Sequence, residues 1–192
     1  MRVSKEQAAD NRRRILTEAA RLFWEQGIDG TGVDAITEAA GLTHGAFYSQ
    51  FESKEAVVAE AMRLATEGSR HTLEGLSKGK GRSEALTRVV DAYLARTHRD
   101  APGQGCAIAA LGAEMARQPR AVRAPFTKAL KEMLEKLADL APGKAAPDRY
   151  DEAIALFSGM LGALILARAV SDESLSRRIM KTVANRLPAT TR

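Results

Sequence analysis

Apolar residues recur along nearly the whole of this chain at spacings of three and four, and nowhere in strict alternation. That period belongs to helices with one buried side, whereas a half-buried strand needs a period of two. The chain is therefore expected to be all-α, with about nine helices. The first spans residues 7–26, with Ile15, Ala19, Leu22 and Phe23 on one face and Gly27 as its stop. A short second helix covers 33–40; Thr31 and Asp34 before and within it have capping-box spacing, and Gly41 ends it. The third, 44–50, has at most two turns. Ser53 is placed to cap a long fourth helix reaching residue 76, with Val57, Ala61, Leu64 and Ala65 as its buried side.

Beyond the linker LSKGKGRS (76–83), Leu86, Val89, Val90, Tyr93 and Leu94 keep helical spacing, and residues 100–105 read as a turn. Ile108, Leu111 and Met115 share the next face. Pro119 breaks the chain, Pro125 falls in or just before the first turns of the following helix, and Phe126, Leu130, Met133, Leu134 and Leu137 form its apolar side. After the loop APGKAAPD (141–148), Asp148 is expected to cap a helix over 149–170, and Ser171 to cap the last, whose face is Leu175, Ile179, Val183 and Leu187.

Composition removes several classes. At 192 residues and 45% hydrophobic content, the chain can bury a substantial interior. The opening MRVSKEQAADNRRR has no apolar stretch, so no signal peptide is expected. The longest uncharged run, residues 153–167, is shorter than the roughly 20 residues that span a bilayer. A single cysteine, Cys106, excludes an intrachain disulfide. A cytoplasmic protein without a membrane segment is the simplest expectation. His44, His71 and His98 have no metal-type spacing, and neither a glycine-rich phosphate loop nor a nucleophile elbow is present. No catalytic residue, metal or cofactor is expected.

The net charge is +5, yet residues 1–60 carry seven basic against ten acidic side chains. Bulk charge therefore does not mark the N-terminal part as a polyanion binder; local placement must. The stretch GLTHGAFYSQF (41–51) supplies it. Helix, glycine turn and short helix make a helix-turn-helix pattern, or else a helical hairpin inside an ordinary bundle. With Phe47 and Phe51 inward onto Leu22 and Phe23, residues His44, Gly45, Tyr48 and Ser49 face outward. That face is small, polar and uncharged, and can enter a major groove. Flanking cations are Lys54 and the run Arg12, Arg13 and Arg14.

Residues 11–62 resemble the N-terminal domain of the TetR family of bacterial transcriptional repressors. The matching features are IL-x-AA-x-LF-x-x-x-G, I-x-x-AAGLT and G-x-FY-x-x-F-x-SKE. The resemblance covers roughly a third of the chain; the rest matches in length and helical make-up. It implies double-stranded operator DNA as partner, with Thr31, Tyr48 and Lys54 on phosphates. It also implies Thr43 at the start of the recognition helix, and His44, Gly45 and Ala46 near base edges, with Ser49 beside them. Many members carry an aromatic at the position of Gln50, and a hydroxyl residue where Gly32 stands.

The same likeness implies a DNA-binding domain over 1–53 and an effector-binding and dimerisation domain over 54–192, with a homodimer formed by the last two helices. The apolar run 153–167 and the Leu175, Ile179 and Val183 face suit that role, or the centre of a monomeric bundle. An apolar small-molecule effector is expected among Tyr93, Cys106, Ala110, Met115, Phe126, Leu130, Phe157, Met160, Leu161 and Leu164, all equally suited to an ordinary core. Glu114 flanks that apolar face, either solvated or paired with a cation. Two alternatives stand: a thiol sensor using Cys106, near a helix start, and a helical adaptor that binds no DNA.

Overall fold

A computed structural model describes residues 4–143 and 145–187. The outermost residues of the two expected domains, 1–3 and 188–192, and Lys144 of the second loop lie outside the described residues. Among the described residues there is no strand. The helices are α1 (Lys5–Gln26), α2 (Val33–Ala39), α3 (His44–Tyr48), α4 (Lys54–Ser77), α5 (Arg82–Tyr93) and α6 (Arg96–Asp100). A 3-10 turn follows at Pro102–Gln104, then α7 (Ala107–Met115), α8 (Arg120–Leu140), α9 (Ala146–Ala169) and α10 (Glu173–Arg186). The helix not anticipated is α6, which precedes the segment read as a turn.

Two packing units emerge, and they do not follow the chain from end to end. The first groups the N-terminal region through Ala65 with Pro102–Ala129; the second groups Thr66–Ala101 with the chain from Leu130 onward. The core of the first unit joins Ile15, Leu22, Phe23, Ile36, Phe47, Val57, Val58 and Met62 to Leu111 and Met115. Leu64, expected on the buried side of α4, is 41% exposed.

In the second unit, α9 packs along α10. Ala153, Leu156, Phe157, Met160, Ala163, Leu164 and Ala167 form the buried side of α9. With 24 residues and a mean hydropathy of 1.6 in its most apolar window, α9 is long and apolar enough to cross a membrane by length and composition. A core helix passes the same test. The uncharged run understated its length because Asp148, Arg149, Asp151 and Glu152 belong to its opening turns. A polar staple fixes the neighbours. Arg99, 8% exposed, donates to Ser176 Oγ at 2.8 Å and to Glu173 Oε1 at 3.1 Å. Ser176 Oγ donates in turn to Ala167 O at 2.6 Å. The hydrogen bond from Arg99 holds the Asp100 and Glu173 carboxyls below their ordinary range. Burial pushes the nearby His98 imidazole down.

Several helix starts differ from expectation. The N-cap of α2 is Gly32, not Thr31. The N-cap of α9 is Ala145, and Asp148 sits in the first turn, accepting from the Ala145 amide at 3.4 Å. Asp172, not Ser171, caps α10, accepting from the Ser174 and Leu175 amides at 2.7 and 3.1 Å. Ser53 caps α4 as expected, accepting from the Ala56 amide at 3.2 Å. Pro125 lies within the first two turns of α8, as expected.

The loop between α1 and α2 is held from two sides within the first unit. Glu114 of α7 is neither solvated nor paired with a cation: its Oε2 accepts from the Ile28 amide at 2.9 Å and its Oε1 from the Asp29 amide at 2.8 Å. Gln118 adds a bond to Asp29 Oδ1 at 3.1 Å. From the other side the Lys54 ammonium donates to Ile28 O and Thr31 O at 2.9 and 3.1 Å. Gly27, at φ +80°, opens the loop, and a Cβ there would meet Glu114 Oε2 at 2.9 Å. Truncating one partner of charged hydrogen bonds costs about 1–3 kcal/mol, and about 2–4 °C in Tm accompanies each kcal/mol in a chain this size. Glu114→Ala is therefore expected to lower the melting temperature, read by circular dichroism, by about 5 °C; an unchanged Tm would show that the clamp contributes nothing.

Candidate nucleic-acid interface

Neither α2, with seven residues, nor α3, with five, is long enough to stand alone. The turn between them is a Schellman motif. The Gly41 amide donates to Glu38 O at 2.9 Å and the Leu42 amide to Thr37 O at 2.8 Å. Gly41 takes φ +62°, which only glycine adopts at little cost. Thr37 is buried and its hydroxyl bonds Val33 O and Asp34 O, both at 3.0 Å. Ile36 and Ala40 of the first element, and Phe47 and Phe51 of the second, all enter the core of the unit. The Phe47 and Phe51 rings lie 5.8 Å apart.

Burying Phe47 fixes what α3 presents outward. Thr43, His44, Gly45, Tyr48 and Ser49 are exposed, Ala46 is half-buried, and none carries a formal charge with the imidazole neutral. Tyr48 is 55% exposed, an unusual state for a large aromatic on the surface. Its ring meets His44 edge-on at a centroid distance of 5.2 Å, and His44 Nε2 lies 3.5 Å from Asp34 Oδ1. Ser49 Oγ donates back to Ala46 O at 2.8 Å. The recognition positions read from the sequence thus come together on one face, with the exception of two flanking residues.

Thr31 is the first exception. It is fully buried, and its hydroxyl donates to Gly27 O at 2.7 Å, so it shapes the entry to α2 from inside instead of meeting a phosphate. Lys54 is the second. It is half-buried, and two of its three N–H bonds serve the loop carbonyls described above. Glu55, beside it, has its carboxyl held below the usual range by its own amide and by Ser53, as suits the first turn of a helix.

The residues expected around an effector divide between the packing units. In the second unit the Tyr93 and Phe157 rings lie 6.0 Å apart, Met160 and Leu164 are buried, and Leu130 and Leu161 are half-buried. His98, which sequence reading passed over, completes this group: its ring lies 4.8 Å from that of Tyr93, with Nδ1 at 2.6 Å from Tyr93 O. In the first unit Met115 is buried, and Ala110 and Phe126 pack on its cluster. Cys106, half-buried, occupies the N-cap of α7.

Comparison with known proteins agrees with this geometry. Residues 15–61 match the family model described as bacterial regulatory proteins, tetR family. The HTH-type transcriptional regulator AcrR of Shigella flexneri is 40% identical over 63 residues, covering 33% of this chain and 29% of that protein. The HTH-type transcriptional repressor DhaR of Mycobacterium sp. (strain GP1) is 28% identical over 124 residues, covering 65% and 62%. The match thus spans less than two thirds of the length of either relative. At the level of fold, a TetR transcriptional regulator from Legionella pneumophila superposes with a TM-score of 0.81 at 19% identity, covering all of both chains. The reduced form of NemR from E. coli gives 0.79 at 20%, covering 93% of this chain and 95% of that one. The helix-turn-helix segment, residues 15–61, is thus similar to the tetR family of bacterial regulatory proteins, and the all-helical fold is similar to that of the solved regulators named above.

Proposed function

We propose that the chain is a transcriptional repressor that binds palindromic operator DNA as a homodimer and is released by a small, largely apolar effector. Residues 1–53 serve as the DNA-binding domain and 54–192 as the effector-binding and dimerisation domain, in the compartment where DNA is found. The observation that carries the reading is the uncharged outer face of α3, presenting Thr43, His44, Gly45, Tyr48 and Ser49 above a buried Phe47. Short polar groups there suit base edges, and Tyr48 suits the backbone. A surface helix with no such duty would normally carry Lys and Glu. The effector's contacts are assigned to Tyr93, Phe157, Met160, Leu161, Leu164 and Leu130, all in the second unit.

The dimer reading rests on an apolar face without a partner in the monomer. Ile154, Ile165 and Leu166 of α9 are 41%, 42% and 56% exposed, and Leu175 of α10 is 43% exposed. Leu161, Ile179 and Val183 lie half-buried beside them. Pairing two copies over this face gives two recognition helices, which a two-fold operator requires about 34 Å apart or a multiple of that spacing.

Two measurements test these claims. Fluorescence anisotropy with a duplex from upstream of the chain's own coding region should show sequence-specific, salt-sensitive binding, weakened about tenfold by His44→Ala or Tyr48→Ala; the adaptor alternative predicts no binding and no effect of either change. Light scattering after size exclusion should give a dimer at micromolar concentration, and Ile165→Glu with Leu175→Glu should give a monomer. A wild-type monomer would overturn the dimer.

A further inference from the structure

We infer that Arg12 and Arg14, two of three consecutive arginines in α1, are positioning residues that cap the C-terminal ends of α3 and α2 rather than phosphate contacts. The inference rests on the DNA-binding reading above. Sequence gives Arg12, Arg13 and Arg14 one common role as flanking cations, but their guanidinium groups go to three different places. Arg12 donates through Nη1 to Gln50 O, just past the end of α3, and pairs through Nη2 with Glu60 of α4. Its guanidinium carbon stands 4.1 Å from the centroid of the Phe51 ring. Arg14 donates through Nη2 to Ala40 O, the C-cap of α2, and reaches Gly41 O at 3.5 Å. Arg13 is 74% exposed and pairs with the neighbouring Asp10 at 2.5 Å.

The physics of helix ends explains why α1 must supply these groups. The last carbonyls of a helix lack internal partners and carry the negative end of the dipole. A glycine turn satisfies some of them, as Gly41 does for α2, and a cation in the last turn can add to it, but neither α2 nor α3 has such a cation. In helices this short the terminal turn is most of the helix. Arg12 and Arg14, two residues apart and so about 200° apart around α1, each reach one of the two ends. Arg12 also joins three elements at one point: hydrogen bond to the end of α3, ion pair to α4, stacking on Phe51. A flat, forked group does this and an ammonium does not. The direction in which α3 points from the core is thus set partly by Arg12, and the angle of the turn before it partly by Arg14.

Phosphate contact and positioning leave different signatures in salt. Each phosphate contact that is lost lowers the slope of log K against log salt by about one, and weakens specific and random DNA alike. A mispositioned recognition helix keeps its phosphate contacts and loses base contacts. The experiment uses the full chain, the upstream duplex and a random duplex of equal length, titrated over a range of sodium chloride. Arg12→Gln and Arg14→Gln are expected to weaken the upstream duplex about tenfold, leave random-duplex affinity and the salt slope at wild-type values, and gain nothing from lysine at either position. Arg13→Gln should lower the slope by about one per protomer and weaken both duplexes. A reduced slope with equal loss on both duplexes for Arg12→Gln or Arg14→Gln overturns the inference. Amide hydrogen exchange without DNA supplies a second readout: faster exchange at Gln50 and Phe51 in Arg12→Gln, and at Gly41 and Leu42 in Arg14→Gln, with the Ile15–Phe23 amides of α1 unchanged. Unchanged exchange at those turns overturns it too. If the wild type shows no specific DNA binding, the regulator reading fails, while the exchange experiment still decides the capping role.

Discussion

Phe47 buried beneath α3 is the contact on which the rest of the head depends. Fixing the backbone of five residues costs about 5–10 kcal/mol, and burying one phenylalanine returns only about 2–3 kcal/mol. The ring cannot hold the helix alone. It succeeds because Phe51, Ile36, Ala40 and Leu42 enter the same nest as Ile15, Leu22 and Phe23, so the two short helices and their turn are ordered together. Once Phe47 points inward, the geometry of a helix leaves Thr43, His44, Tyr48 and Ser49 no choice but to face out. The surface chemistry of the motif is a consequence of its core.

The second requirement is that helix ends be satisfied from outside, since α2 and α3 are nearly all end. Arg12 and Arg14 donate to carbonyls at those ends, and Lys54 and Glu114 bond the loop that leads into α2. Every one of these charged groups is used inside the first unit. Of the ten acids in residues 1–60, Asp10, Glu18, Glu25 and Glu60 each pair with an arginine of α1. Counting charges along the sequence therefore says little about the sign of the face offered to a partner, because the counted groups are engaged with one another.

The parts of this structure visible in sequence are those written at short range. Helical spacing identifies nine of the ten α-helices among the described residues, and Gly41 with Leu42 marks the turn. The face carrying His44 and Tyr48 followed from the position of Phe47 alone. What stayed hidden depends on partners far along the chain. Glu114 meets amides 85 and 86 positions away, and Arg99 meets Ser176 at 77. No local pattern distinguishes such a residue from a solvated one. Thr31 was misplaced for a related reason: a threonine before a helix reads as a cap, but here its hydroxyl turns back to Gly27 O and Gly32 takes the cap position. Ser171 lies one position before the true cap because Asp172 stands beside it, and Asp148 lies three positions after Ala145 because α9 opens on Ala146 and Pro147.

In the second unit the Arg99 staple explains which side of α10 remains in water. Ser176 and Glu173 bind the guanidinium, and Ser176 also bonds Ala167 O, so the rotation of α10 about its axis is fixed by polar contacts. Residues 175, 179 and 183 fall on a different side, turned by about 90° from the stapled one. Were the apolar groups alone to set the rotation, Leu175 would turn inward and no continuous apolar strip would face outward with Ile165 and Leu166 of α9. Leaving Leu175 exposed and Ile179 and Val183 only half-buried is unfavourable in an isolated chain, because hydrophobic burial stabilises by about 25 cal/mol for each Å² covered. The arrangement becomes favourable when a second surface covers the strip.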